Sequence, residues 1–190
     1  MFNRKLYTEL YITKVIHING GSVMYNELTQ SDIDKMKKEI EYRKCVVRKE
    51  ALEAVKEARA HGDLSENFEY HAAKKDKNKN ESRIRYLEKM IKTATVISDT
   101  SNEDEVGLNN QVELYFEEDD ETETFKLVTT VREDSLKGMI STESPIGSAI
   151  LGKHINDRVY IRVNDNYGYY VVIKKIDKNL GDENDAIRSF

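Results

Sequence analysis

The sequence predicts an α+β protein in which a long antiparallel α-helical hairpin of coiled-coil type precedes a small domain built on an antiparallel sheet. Three observations carry this. Between Ser31 and Ala94 apolar residues recur at helical spacing with one break, at Gly62. After about residue 110 the period changes to two. Charge changes with it: Tyr25–Ile97 holds 17 basic and 14 acidic residues, whereas Ser98–Phe190 holds 10 and 20, a step that separates units with different surfaces. Across the 190 residues 38% are hydrophobic and 34% charged, the balance expected when a long helix is solvated on most of its faces.

The first 23 residues carry Arg4, Lys5, Glu9 and Lys14 as their only charges. Polar residues interrupt their apolar stretches and no small-residue cleavage site follows, so no export signal is expected. No apolar run approaches the ~20 residues of a membrane span. The single cysteine, Cys45, excludes an internal disulfide and a cysteine-based zinc site and suits a reducing compartment, the cytoplasm.

The first arm is expected over Ser31–Ala60. It lacks Pro and Gly, Ser31 suits the N-cap, and Asp32 and Asp34 complement the helix dipole. Ile33, Met36, Ile40, Val47, Ala51, Ala54, Val55 and Ala58 form one narrow stripe. The second arm is expected from about Ser65 to Ala94, on a seam of Tyr70, Ala73, Lys77, Asn80, Ile84, Leu87, Ile91 and Ala94. Each arm would be about 45 Å long at ~1.5 Å per residue. Ser98–Glu105, polar and acidic, reads as a linker. Val112, Leu114 and Phe116, then Phe125, Leu127 and Thr129, alternate on either side of the acidic Glu117–Glu123 and predict a β-hairpin. Arg158–Val163 and Tyr169–Ile176 predict two more strands around a turn at Asn164–Gly168. A short helix is expected near Ser148–Leu151, between Gly147 and Gly152, and Ile176–Phe190 reads as a frayed tail.

Chemistry concentrates at the hairpin tip, ARAHGDLSEN, Ala58–Asn67. The four histidines form no metal-binding pattern, and no nucleophile elbow, P-loop or dinucleotide motif is present. Asp63 and Glu66, three residues apart before a helix, fit a capping box. From spacing alone the cap is the stronger reading; compatible with it, they also fit two carboxylates held out on a rod to complete a Mg²⁺ site whose other ligands come from a partner, because Mg²⁺ demands octahedral oxygen ligation. Lys74–Lys92 carries eight basic and three acidic residues, either a solvated face or a track for a nucleic-acid strand or an acidic channel wall. The front half is too close to neutral for a duplex-DNA binder.

GDLSENFEYHAAK (Gly62–Lys74), preceded by Glu57-Ala58-Arg59 and followed by RIRYLEKMI (Arg83–Ile91), resembles the hairpin of bacterial Gre transcript-cleavage factors of the GreA type, and ISTESPIGSAILGK (Ile140–Lys153) resembles that family's second signature. The resemblance covers about Tyr25–Lys178. It implies a non-family extension over 1–24, a coiled-coil hairpin with an acidic tip over 25–97, a linker over 98–105, an FKBP-like α+β domain over 106–178 and a tail over 179–190. It also implies a transcription elongation factor, monomeric and free of membranes, that binds RNA polymerase at its secondary channel and stimulates the polymerase's own cleavage of backtracked RNA. The factor would not be an enzyme by itself. Asp63 and Glu66 would be the catalytic and metal-holding carboxylates of a Mg²⁺ shared with the polymerase active centre, with none held by the factor alone. Arg59 and Lys74 match basic positions that meet the 3′ segment of the nascent RNA. Phe68 stands where the family has Ala, and Asn156 where it has Gly, a place where Asn tolerates a left-handed turn. Gly20-Gly21 precedes Met24 at the distance at which a ribosome-binding sequence would be read as codons, so translation is expected to start at Met24. Two rival functions remain: a Gre-like channel-binding inhibitor, which the intact tip opposes and Phe68 favours, and a prolyl isomerase, which rests on the FKBP-like likeness alone.

Overall fold

The computed structural model describes residues 26–60, 67–178, 181–182 and 185–188. The extension over 1–24, including the expected start at Met24, together with Tyr25 and the tip His61–Glu66, lies outside the described residues. The chain divides into two compact units, Gln30–Ala94 and a second made mainly of Thr95 onward.

The first unit is the helical hairpin. Its first arm comprises α1 (Gln30–Tyr42), a π-helical turn (Arg43–Val47) and α2 (Arg48–Ala60), and its second arm is the single helix α3 (Phe68–Lys92). The first arm starts at Gln30 rather than after Ser31, so Thr29, a residue of the same capping class, precedes it. All eight residues of the second-arm seam are buried or half-buried, Asn80, Ile84 and Leu87 most fully. On the first arm the stripe holds except at Ala54, which is exposed.

The π turn explains the gap between Ile40 and Val47. Arg43, Val47, Ala51 and Val55 follow each other in steps of four, a spacing that drifts away from a coiled-coil seam. A widened turn takes up the drift, because the Arg48 amide donates to the Arg43 carbonyl. Asn80 Nδ2 donates to that same carbonyl at 3.4 Å while its Oδ1 accepts from Arg43 Nη1 at 3.2 Å. Around this pair the hairpin carries a polar layer. Glu39 accepts from Arg43 Nε at 2.7 Å and from Arg83 at 2.9 and 3.0 Å, and Arg48 forks onto Glu81 with both bonds at 2.7 Å.

Two short strands, β1 (Asn26–Leu28) and β2 (Ala94–Val96), pair with each other and flank the hairpin segment in sequence. The second unit then builds a five-stranded sheet from β3 (Gln111–Phe116), β4 (Glu121–Val128), β5 (Met139–Ser141), β6 (Arg158–Arg162) and β7 (Gly168–Asp177), in the order β5-β4-β3-β7-β6. The expected hairpin β3–β4 and the pair β6–β7 are antiparallel. The sheet is nevertheless mixed, since β5 joins β4 in parallel. Val112, Leu114 and Phe116 face the core with Leu127, Ile140, Ile150, Ile161, Val171 and Ile173.

The short helix α4 runs over Pro145–Ile150, three residues earlier than Ser148. Ser144 sets its start: its Oγ accepts from the Gly147 amide at 3.0 Å, and Pro145 fills the first helical position. A Cβ on Gly147 would collide with the Ser141 carbonyl, so glycine lets α4 lie against β5. Asn156 holds φ at +70°, the left-handed turn its position calls for.

Two segments differ from expectation. Ser98–Glu105 does not stand free: Asp99 accepts from Ser101 and Asn110, Lys178 Nζ donates to Ser101 Oγ at 2.6 Å, and Glu105 bridges to His154. Nor is the chain beyond β7 frayed throughout, because Asp185 and Arg188 are bonded to the domain. No helix among the described residues is long and apolar enough to cross a membrane.

Candidate functional site

The site is built at the end of α2 and the start of α3. The residue that closes it is Asn67. Its Oδ1 accepts from the Tyr70 amide at 3.0 Å, which makes it the N-cap of α3, and its Nδ2 donates to the Ala58 carbonyl in the last turn of α2 at 2.9 Å. Both helix ends leave backbone groups without intrahelical partners, and one amide side chain serves a donor on one arm and an acceptor on the other. The N-cap of α3, which starts at Phe68, is thus Asn67. Asp63 and Glu66 themselves lie outside the described residues.

Arg59 and Lys74 are brought together. Arg59 sits in the last turn of α2 and Lys74 on α3, both exposed. Tyr70 lies between them. The Arg59 guanidinium is 5.5 Å from the Tyr70 ring centroid and the Lys74 ammonium 5.9 Å, within cation–π range. Arg59 Nη2 also donates to the Tyr70 hydroxyl at 3.4 Å. That hydrogen bond, aided by the charges of Arg59, Lys74 and Lys77, holds the phenol below its ordinary value against the opposing effect of burial. The outcome is a cationic flank ordered by one aromatic ring, on residues that bracket in sequence the segment bearing Asp63 and Glu66. His71 adds a tilted ring contact to Tyr70 with centroids 5.7 Å apart.

Sequence reasoning put Tyr70 in the packing seam and Asn67 merely at the end of a motif. Part of the signal was available: Asn is a preferred N-cap and stands directly before the helical run, and Tyr70 lies four positions before Lys74 on one helix face, whereas its contact with Arg59, eleven residues away, needs the other arm. Phe68, the first residue of α3, is 88% exposed, so its ring is presented and not packed.

Mg²⁺, which the tip motif implies, takes hard oxygen ligands in an octahedral shell. Asp63 and Glu66 are donors of that class but fill only part of such a shell. The donor set therefore fits an ion whose remaining ligands come from another molecule. Among the described residues no three His, Cys, Asp or Glu side chains converge as a metal site.

Comparison with known proteins agrees across both units. Residues 26–96 match the family model described as transcription elongation factor, N-terminal, and residues 100–178 the model described as transcription elongation factor, GreA/GreB, C-term. Transcription elongation factor GreA of Geobacillus kaustophilus is 42% identical over 136 residues, 71% of this chain and 86% of the relative. The GreA of Acholeplasma laidlawii is 40% identical over 150 residues, 79% of this chain and 95% of the relative. Among solved structures, GreA factor homolog 1 (Gfh1) of Thermus thermophilus aligns with a TM-score of 0.38 at 24% identity, covering 81% of this chain and 99% of that one. With both of its units matched in order and relatives at this level of identity, the chain belongs to the GreA/GreB family of transcription elongation factors.

Proposed function

We propose that this protein acts on RNA polymerase by inserting its hairpin tip through the secondary channel and stimulating endonucleolytic cleavage of RNA in backtracked complexes. In this role Asp63 and Glu66 supply oxygen ligands toward a Mg²⁺ shared with the polymerase active centre. When bound there, the ion would supply Lewis-acid activation of water and charge stabilisation at the phosphate. The chain's own residues do the rest. The hairpin carries the tip, Asn67 anchors it to both arms, and Arg59 and Lys74 attract the phosphates of the extruded RNA 3′ segment.

The observation that carries this reading is the double bond of Asn67 to Tyr70 and Ala58. It supplies an N-cap for α3 and ties that cap to the last turn of α2, so it brackets in sequence the segment that carries Asp63 and Glu66. The test is a stalled, backtracked polymerase incubated with the protein, with RNA shortening as the readout. Shortening above the level of polymerase alone is the expected result. Phe68, exposed at the start of α3, favours a second reading, in which the protein occupies the same channel and slows the polymerase. Slower nucleotide addition with no shortened RNA in that assay would select it.

A further inference from the structure

The second unit holds a charged side chain that its sheet alone does not neutralise. Arg132, in the 3₁₀ turn Thr130–Arg132 after β4, has a side chain with 0% exposure. A guanidinium removed from water needs a counter-charge and a full set of acceptors. Its Nη2 donates to Asn109 Oδ1 at 2.7 Å and its Nε to Thr129 Oγ1 at 3.4 Å. The carboxylate beside it comes from beyond the last strand: Arg132 Nη1 donates to Asp185 Oδ2 at 3.0 Å, with Asp182 at 3.8 Å. Lys126 of β4 donates to that same Asp185 oxygen at 2.9 Å and to the Gly181 carbonyl at 3.0 Å. The Arg188 amide donates to the Val131 carbonyl at 2.8 Å, and the Arg188 side chain meets Glu133 at 3.4 Å.

These contacts have the form of a bound peptide. One aspartate enters a notch made by two cations, and backbone bonds on either side fix the segment that carries it. The notch is also out of character with its surroundings, since Ser98–Phe190 holds twice as many acidic as basic residues. The family models end at residue 178, so the notch lies inside the family domain and its occupant outside it.

We propose that Lys126, Arg132 and the Val131 carbonyl form a docking site for a turn-forming, aspartate-bearing peptide segment of a partner protein, and that this chain's own tail, turned by the bond of the Asp185 amide to the Asp182 carbonyl at 3.0 Å, fills the site in cis. The tail is then an internal competitor. A tethered segment acts at an effective concentration of order mM, so a partner segment must outbid it or meet it displaced.

The test uses a chain ending at Lys178 and a synthetic peptide of residues 179–190. The truncated chain should bind the peptide saturably in a calorimetric titration, and the full-length chain about 10-fold more weakly or not at all, because its site is filled. A peptide carrying Asp185→Asn should bind the truncated chain at least about 10-fold more weakly, because the bond to the two cations loses its charge. Full-length protein with Asp185→Asn should gain affinity for the wild-type peptide. If truncation unfolds the domain, the wild-type peptide added in trans should restore the melting transition and the Asn peptide should not. Equal binding of the two peptides, equal binding by truncated and full-length chains, or an unfolded truncated chain that the peptide does not rescue would each overturn the proposal.

Discussion

Asn67 donates from Nδ2 to the carbonyl of Ala58, nine residues earlier, at 2.9 Å. That bond ties the end of one arm to the start of the other, and Asn is the residue that can make it while capping α3 through Oδ1. Aspartate would keep the acceptor for the Tyr70 amide and lose the donor to Ala58. Asn67→Asp should therefore leave α3 capped and its helix content unchanged while loosening the loop it anchors. Asn67→Ala should lose both bonds and about 0.5–2 kcal/mol of stability. RNA shortening should fall in both variants. Thermal melting should fall clearly only in the alanine variant, and equal melting losses would show that the cap bond to the Tyr70 amide adds nothing beyond the bond to Ala58.

The Tyr70 ring orders Arg59 and Lys74 from one side chain. Tyr70→Phe keeps the ring and removes the hydroxyl that accepts from Arg59, so cleavage should decline only modestly. Tyr70→Leu removes the ring and with it both cation–π contacts, so cleavage should fall further than in the phenylalanine variant. Arg59→Ala and Lys74→Ala should weaken cleavage with little effect on folding, because exposed charges contribute little to stability. The check is cleavage across a salt titration. Wild-type behaviour of both alanine variants at every salt concentration would remove these residues from the RNA-facing flank.

Glu39 gives the hairpin a pH dependence. Burial pushes its carboxyl up, but hydrogen bonds from Arg83 and Arg43, with their charges, outweigh burial and hold it below the ordinary glutamate range. A carboxyl depressed in the folded state adds stability above its unfolded value, about 4.3, and loses it as pH falls through the lower folded value. Melting temperature should therefore drop below about pH 4.3, and Glu39→Gln should flatten that part of the profile. The same substitution should lower stability at neutral pH by on the order of 1–3 kcal/mol, since Arg83 loses an ionised partner. An unchanged acid limb in the glutamine variant would assign the acid sensitivity to other carboxylates.

Much of the fold was legible because long elements repeat their signal. The seam from Tyr70 to Ile91 and the alternation Val112-Leu114-Phe116 each state a period several times. Elements of three residues do not. Strands β1, β2 and β5 are each too short to show alternation, and the parallel pairing of β5 is a property of the sheet and not of Met139-Ile140-Ser141. The π turn was visible only as a gap in the stripe, since Asn80, which bonds the Arg43 carbonyl there, lies 37 residues away. The tail was misjudged for the same reason: Asp185 reads as a polar terminus until Lys126, 59 residues away, is beside it. At the site, Arg59 and Lys74 came from the motif, whereas the roles of Tyr70 and Asn67 depend on the two arms being side by side.

The last prediction concerns Asp63 and Glu66. Asp63→Asn and Glu66→Gln keep size and much of the hydrogen-bonding capacity but remove charge. Asn67 already caps α3, so neither substitution should change helix content or melting. If the two carboxylates supply ligands to a shared Mg²⁺, each loss of an anionic oxygen weakens the ion's hold and the stabilisation of charge developing at the phosphate, where a single preorganised contact matters by ~10²-fold or more. Cleavage should collapse in each variant while binding to RNA polymerase persists, and the variants should compete with the wild type for stalled complexes. Raised Mg²⁺ should restore part of the rate, because mass action offsets a weakened site. The measurement is the rate of RNA shortening beside a polymerase-binding assay. Near-normal shortening by the double variant would remove the tip carboxylates from the chemistry, and lost binding with unchanged melting would instead make them docking residues.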